Sequence, residues 1–338
     1  MSIAIPFLVL VAALLGTGLV RRYALHRELL DVPNARSSHT RPTPRGGGVA
    51  LVLAALGAWC ALWLSGALDP SLAAAVVPGG ALVALTGFFD DRSSLPSWVR
   101  LLVHFLASVW ALAWLGGLPR VPLLFGPVDL GWIGHVLGVL YLVWMLNLYN
   151  FMDGIDGIAG IEATVVPLVA AAIALLLGLP FPWPLACLAF AALGFLPWNF
   201  PRARIFMGDA GSGFLGFSLG VLSIDALASH PGLGWAWLIL LGTFVVDATV
   251  TLLRRMIRGY RFDEAHRSHA YQYLARRVGR HAPVSVGYGA VVVFWLGPVA
   301  WLAARGVLPG LVTLLLGWLP LAYVAVRFHA GAPERQRS

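Results

Sequence analysis

The sequence predicts an all-α polytopic integral membrane protein of about 10–11 transmembrane helices, with the N-terminus outside and the active site on the cytoplasmic face. Three observations predict it. Of the 338 residues, 59% are hydrophobic and only 11% charged, where soluble domains carry about 25% charged residues. The apolar residues fall in eleven runs, each of roughly the 17–25 residues needed to cross a bilayer core as a helix. The 23 basic residues, all of them arginine, collect almost entirely between alternate runs.

The runs can be taken in order. The first, about 3–20, has no basic segment before it and no small-residue cleavage site after it, so it reads as a retained span rather than a signal peptide. A loop at about 21–46 leads to the second run, 47–66. The third, 71–89, stops at Asp90 and Asp91, and a short loop at 90–97 precedes the fourth, 98–116. The fifth, 131–149, closes on a polar segment at 150–156. Runs at 157–178 and 183–199 follow, then a loop at about 200–211 and the eighth run at 212–228. The ninth, 232–253, opens on the longest loop, 254–283. The last two, 284–304 and 306–327, precede a tail at about 328–338. No internal repeat is visible, so residues 1–338 read as one transmembrane domain. Cys60 and Cys187 lie inside separate runs, which makes them packing residues rather than a disulfide or a zinc pair.

With the N-terminus outside, 21 arginines fall on the inner side and only Arg120 and Arg305 on the outer. The positive-inside rule therefore fixes this orientation. The formal net charge of +8 is largely a topological signal, and it favours anionic partners at the inner face. With no lysine in the chain, no amine serves as base or nucleophile. Every dense polar cluster (31–48, 90–100, 147–157, 199–212 and 254–281) lies on that inner side, while the outer loops are short and bland.

The richest cluster runs Asn147-Leu148-Tyr149-Asn150-Phe151-Met152-Asp153-Gly154-Ile155-Asp156-Gly157. Its three-residue rhythm of Asn147, Asn150, Asp153 and Asp156 lets each polar group neighbour the next on a helix or its frayed end. Polar groups beside lipid cost free energy unless they are paired or do chemistry, and this set suits a phosphate with a divalent metal. Asp90 and Asp91 end a span where the positive-inside rule and the helix dipole both disfavour acids, so they read as ligands or proton acceptors. Phe206-Met207-Gly208-Asp209-Ala210-Gly211-Ser212-Gly213 resembles a phosphate-binding turn at a helix N-terminus. Mg2+ favours few carboxylates with open positions for phosphate oxygens, and Asp209 with Asn150 would make such a site. The stretch Asp31–Gly48 carries Arg36, Arg41 and Arg45 beside Gly46-Gly47-Gly48, a composition that suits a diphosphate or lipid phosphate. The long loop holds His266, Arg267 and His269; without a third ligand nearby they read as phosphate or sugar contacts rather than a metal pair. Asp247 near the inner boundary pairs with an arginine or lines the site. His104, His135, Asp129, Asp225 and Glu162 read as structural.

Together these motifs resemble the polyprenyl-phosphate N-acetylhexosamine-1-phosphate transferases (WecA/MraY-like). The resemblance spans about residues 30–281: the Pro-Asn-x-Arg-x-x-His and Pro-Arg-Gly-Gly-Gly elements of Asp31–Gly48, the Asp90-Asp91 pair, the Asn147–Gly157 motif and Gly208-Asp209-x-Gly-Ser, in order and on one side of the membrane. It implies an enzyme that transfers a sugar-1-phosphate from a UDP-N-acetylhexosamine to undecaprenyl phosphate, with release of UMP. Mg2+ is the implied cofactor, with Mn2+ as a substitute. The resemblance assigns catalysis to Asp90, Asp91 and Asp209, metal binding to Asp209 and Asn150, and donor positioning to Asp153 and Asp156. The remaining substrate contacts fall to Asn147, Arg36, His39, Arg45, Arg204, His266, Arg267 and His269. A lipid phosphate with a second pKa near 6 is already mostly a dianion, which favours direct attack over a covalent aspartyl intermediate. Many members carry three clustered histidines where this chain reads His266-Arg267-Ser268-His269, closer to the subgroup that starts O-antigen or exopolysaccharide chains. The donor would be GlcNAc or a 6-deoxy relative such as FucNAc or QuiNAc, with the peptidoglycan pentapeptide enzyme as the alternative. A transporter or flippase is the alternative of another class, but it would place its acids near the midplane, in paired broken spans. The expected location is the bacterial inner membrane. Membrane lipid completes the expected partners, a homodimer is an allowed assembly, and nucleic acid is not among them.

Overall fold

A computed structural model describes residues 4–33, 38–39, 41–123, 126–261 and 266–332. Each of the eleven apolar runs coincides with helix. Among the described residues, eight continuous spans are long and apolar enough to cross a membrane, and a ninth is bent. The continuous ones begin with α1 (Ala4–His26), α3 (Pro70–Ser93), α4 (Ser97–Trp114), α5 (Gly131–Met152), α6 (Ile158–Leu176) and α8 (Asp209–Ser229). Two apolar helices, α2 (Gly48–Leu64) and α7 (Trp183–Asn199), are shorter. At 17 residues each they are about 25 Å long. They lie side by side against α1. Two short antiparallel pairs, β1 (Leu30–Asp31) with β2 (Thr43–Pro44) and β3 (Val121–Leu123) with β4 (Gly126–Val128), brace loops at opposite faces.

The ninth run is two helices, α9 (Pro231–Leu240) and α10 (Gly242–Ile257), bent by 62°. The sequence has no proline there, and the cause is tertiary. The indole N–H of Trp318 donates to the Leu238 carbonyl at 3.1 Å, the acceptor that Gly242 would use in an unbroken helix. A side chain inserted into the hydrogen-bond ladder is a recognised source of kinks. Gly242 makes room, because a Cβ there would meet the Trp318 ring. After the inner-face helix α11 (Ala270–Val278), the tenth run comprises α12 (Ala282–Val291), a π-helical turn at Val292–Leu296 and α13 (Gly297–Ala304). Pro298, lacking an N–H, falls where that wider turn returns to α-helix. α14 (Gly310–Arg327) closes the bundle.

The core centres on α8. Its residues from Ala210 to Ile224 are all buried, which means the helix is enclosed by protein on every side rather than by lipid. Small residues make that possible, since helices in a membrane gain most by close backbone approach. A Cβ on Gly216 would strike the Met145 carbonyl of α5, one on Gly48 would strike Gly211, and one on Gly87 of α3 would overlap the Asp209 carbonyl and Ala210 amide. Two helices, α2 and α3, therefore converge on the first turn of α8, and α5 packs against it further along. The prediction is that Gly87→Ala forces this crossing apart and costs about 1–3 kcal/mol, read as a lowered melting midpoint of the detergent-solubilised protein; an unchanged midpoint would show the crossing to be loose.

Candidate active site

The first turn of α8 has no side-chain cap of its own. Gly208 precedes it with φ +79, and the acceptor comes from another span. α3 continues past residue 89 to Ser93, and its Asp91 side chain, 8% exposed, accepts from the backbone N–H of Asp209 at 3.0 Å and of Ala210 at 3.4 Å. An anion is favoured there, because helix N-termini carry unpaired N–H groups and partial positive charge. A side chain at Gly208 would collide with the Asp91 carboxylate. Arg45 then bridges the two acids, with Nε 2.8 Å from Asp91 Oδ1 and Nη2 2.7 Å from Asp209 Oδ1. Its own backbone is locked by neighbours: Gly47 and Gly48 donate to the Phe206 and Met207 carbonyls at 2.9 Å each, and Phe206 donates to the Pro44 carbonyl at 2.8 Å. Two amides of the glycine triplet, expected to face a phosphate, are thus used to fasten one inner loop to another; only Gly46, at φ +96, stands open.

Asp90 is held on the other side. Its carboxylate accepts from the Leu95 N–H at 2.7 Å and from Arg100 Nη1 at 2.7 Å. The same Arg100 nitrogen lies 3.7 Å from Asp209 Oδ2. Three carboxylates and two guanidinium groups therefore alternate around the N-terminus of α8, with one negative charge in excess.

Two cavities meet at this cluster. A groove of about 580 Å³ lies among α3, α4, α5 and α8; Asp90, Arg100, His104, Asn147 and His266 line its polar end, and Val83, Leu101, Leu140 and Trp144 its apolar part. A polar chamber of about 210 Å³ is lined by Asp31, His39, Arg45, Asp153, Asp156, Asn199, Gln272 and His281. That is the volume of about seven waters, enough for a diphosphate and part of a sugar. Asn150 and Asp209 line both.

The turn that follows α5 forms the chamber wall. Asn199, buried, accepts from the Gly157 N–H at 2.8 Å and donates to the Ile205 carbonyl at 3.0 Å. His281 Nδ1 lies 3.1 Å from the Asp156 carboxylate. The Tyr271 hydroxyl donates to the Phe151 carbonyl at 2.9 Å and sits where a Cβ on Gly154 would be. Burial first, and then the negative charge of Asp209, push the Asp153 carboxyl well above the ordinary value of 3.8, with Asp91 and Asp156 adding to the effect and Arg45 opposing it.

Asp247, left between two roles by the sequence, does a third thing. It accepts from the N–H groups of Ala270 and Tyr271 at 2.9 and 3.0 Å and from the Tyr288 hydroxyl at 2.7 Å. A span-borne acid again holds the start of another helix, here α11, and so fixes His269 and Tyr271 beside the groove and the turn. Burial, then His269 and Arg255, hold the His266 imidazole down to about 3, so it faces the groove as a neutral ring.

Of the expected site residues, Asp90, Asp209, Arg45, His39, Asn147, Asn150, Asp153, Asp156, His266 and His269 line the two cavities, and Asp91 lines neither but holds the α8 N-terminus and Arg45 behind them. Asn147 spends its amide on the Val143 carbonyl at 2.7 Å, with His104 3.5 Å away. Arg204 is turned aside: its guanidinium lies 5.0 Å from the Trp198 ring and donates to the Pro197 carbonyl, and it lines neither cavity. Arg267 also lines neither, and its carbonyl accepts from Arg276 at 3.0 Å. Arg36 lies outside the described residues. Sequence reasoning missed Arg100, His104, Asn199 and His281. Arg100 and His104 are four apart at the start of a helix that faces the Asp90 cluster, the one signal that could have found them. Among the described residues no three His, Cys, Asp or Glu side chains form a metal cage. The hard oxygens of Asp209 and Asn150 at the cavity junction fit an ion that takes few protein ligands and keeps its other positions for phosphate and water.

The sequence is similar to known proteins over most of its length. Residues 73–227 match the model of the family described as "Glycosyl transferase family 4". The chain is 31% identical over 280 residues to the Bacillus subtilis "Probable undecaprenyl-phosphate N-acetylglucosaminyl 1-phosphate transferase", covering 80% of this chain and 77% of that one. It is 29% identical over 345 residues to the Mycolicibacterium smegmatis "Decaprenyl-phosphate N-acetylglucosaminephosphotransferase", covering 89% and 82%. A Synechococcus "Phospho-N-acetylmuramoyl-pentapeptide-transferase" is 33% identical over 308 residues, covering 82% and 80%.

Two predictions follow from the geometry. Asp153 binds its proton more tightly folded than unfolded, so between the unfolded carboxylate value near 3.9 and its raised folded value the native state holds more protons, and stability falls as pH rises. Asp153→Asn should flatten that decline in chemical-denaturation curves taken in chelator, whereas a parallel curve would mean that Asp153 ionises freely. Asp247→Ala strips acceptors from buried donors, at about 1–3 kcal/mol for each group left unpaired. Hydrogen exchange should accelerate at the first amides of α11; unchanged protection there would refute the clamp.

Proposed function

The chain belongs to glycosyl transferase family 4, within the polyprenyl-phosphate hexosamine-1-phosphate transferases, and we propose that it transfers an N-acetylhexosamine-1-phosphate from a UDP-sugar to undecaprenyl phosphate, releasing UMP. The observation that carries this reading is the meeting of an amphipathic groove and a polar chamber at Asn150 and Asp209. A lipid phosphate needs an apolar trough with cationic and polar groups at one end. A nucleotide diphosphate sugar needs a polar pocket open to the cytosol.

In this reading the acceptor's phosphate lies at the polar end of the groove against Arg100, and its prenyl chain runs along Leu101, Leu140 and Trp144 into the bilayer. The donor's diphosphate reaches the chamber beside Arg45, with Asp153 and Asp156 orienting nucleotide and sugar. Arg45 and Arg100 supply charge-assisted hydrogen bonds to phosphate oxygens. An acceptor oxygen attacks the β-phosphorus. One phosphorus–oxygen bond forms as the bond from the β-phosphorus to the bridging oxygen breaks, and UMP leaves with that electron pair. Asp90 takes the proton from the minor fraction of acceptor that is still a monoanion, the second phosphate pKa being about 6. Mg2+, or Mn2+ in its place, when held by Asp209 and Asn150 would neutralise diphosphate charge. Asp91, occupied with the α8 N-terminus and Arg45, acts as a positioning residue.

The reading extends to the bacterial inner membrane, with the cluster facing the cytosol, and to the start of an O-antigen or related envelope polysaccharide. The donor is GlcNAc or a 6-deoxy relative such as FucNAc or QuiNAc. The testing experiment measures UMP release by purified protein supplied with undecaprenyl phosphate, a panel of UDP-sugars and Mg2+. Turnover with one N-acetylhexosamine donor is expected, and Asp209→Ala should lower it about a hundred- to a thousandfold, the scale of losing a principal electrostatic group, while the melting midpoint shows the variant folded. A folded, lipid-binding preparation that releases no UMP from any donor would overturn the reading.

A further inference from the structure

A further cavity opens on the face opposite the active site. At about 810 Å³, it lies among the outer ends of α6, α9, α13 and α14, with the β3 strand at its edge. The positive-inside rule puts this face outside, where the chain carries only Arg120 and Arg305. Both belong to this one cavity's surroundings. Arg305 lines it, and Arg120 immediately precedes the strand whose Pro122 and Leu123 form its rim. No acid lines it among the described residues. We propose that this cavity binds the phosphate headgroup of an anionic phospholipid in the outer leaflet.

The chemistry is amphipathic in the way a lipid requires. Arg305 extends its guanidinium over the Trp301 ring at 5.5 Å, the posture of an interfacial pair. Trp235 donates its indole N–H to the Pro122 carbonyl at 2.8 Å, which ties the strand to α9. Leu176 and Val307, 69% and 61% exposed on the rim, offer apolar surface to acyl chains. The walls pack closely: side chains at Gly232 and Gly310 would collide with the Ala304 backbone and the Trp235 ring. Two arginines kept outside, against the trend of the other 21, are complementary to a phosphate anion rather than to a zwitterionic surface.

The test must be blind to the basic inner face. Single-cysteine reporters, Leu308→Cys at the cavity and Ser65→Cys in a distant outer loop, are placed in a Cys60→Ala, Cys187→Ala background. They are labelled with an uncharged, membrane-impermeant maleimide in phosphatidylcholine vesicles with or without phosphatidylglycerol. Phosphatidylglycerol is expected to slow labelling at position 308 relative to 65 by about fivefold, the factor one arginine near an anionic surface supplies, and Arg305→Gln should abolish the difference. Equal rates in both vesicles, or slowing that survives Arg305→Gln, would overturn the proposal. So would equal slowing by inorganic phosphate in pure phosphatidylcholine, since that would make the site one for free anions. UMP release by Arg305→Gln at wild-type rate in phosphatidylcholine reports an intact fold and keeps a failure here separate from failure of the active-site reading.

Discussion

The carboxylate of Asp91 on the first amides of α8 is the interaction on which the site depends. From Ala210 to Ile224 α8 is enclosed by protein, and N–H groups left unpaired at its buried start would cost about 1–3 kcal/mol each. A side chain within α8 could have capped it, but the preceding residue is Gly208, chosen by space. The acceptor therefore comes from α3, and one bond sets several positions at once. It fixes Asp209 at the first helical residue, draws Arg45 in to balance the charge, and through Arg45 brings the 44–48 segment against 206–207. Asp247 repeats the device at α11, where it orders His269 and Tyr271. In both places an acid carried by a membrane span holds the start of a second helix, and in both a residue of that second helix faces a cavity.

Much of the fold could be read from hydrophobic runs, since helices that cross lipid must satisfy their backbone internally and advertise themselves by length. What could not be read were features caused by a partner far away in sequence. The break between α9 and α10 has no local breaker; it exists because Trp318, nearly eighty residues on, takes the Leu238 carbonyl. Asp90 and Asp91 looked like a span's end because apolar residues stop there, yet α3 runs on, and the two carboxylates point to different partners: α8 and Arg45 for Asp91, Leu95 and Arg100 for Asp90.

The site residues divide the same way. Asp209, Asn150, Asp153 and Asp156 stood out because polar groups at such depth have few structural excuses. Arg100 did not, because an arginine at an inner helix end is what the positive-inside rule already demands, and the topological reason hid the local one. Arg204 misled for the converse reason: its place in a polar loop fitted a phosphate contact, but stacking on Trp198 takes it away. The glycine triplet carried an ambiguous signal, since glycine serves equally where a ligand approaches backbone and where another backbone does; here Gly47 and Gly48 meet residues 206–211.

The charge arrangement also separates an enzyme from a carrier. A carrier that moves an anionic lipid across the membrane would place its ionisable groups at the midplane, between paired broken spans. Among the described residues one span is broken; the one acid beside its bend, Glu162, accepts from Thr243 at 2.7 Å in the buried core, and the bend is remote from Asp90, Asp91 and Asp209, which gather at one face. There, Asp90, Asp91 and Asp209 are interleaved with Arg45 and Arg100 so that no carboxylate lacks a cation, yet the sum is one negative charge. Arg45 and Arg100 are each about a third exposed, so they can exchange a carboxylate for a phosphate oxygen without leaving the cavity walls. A cation at Asp209 and a phosphate at either arginine are then complementary arrivals, since each compensates the group that the other releases.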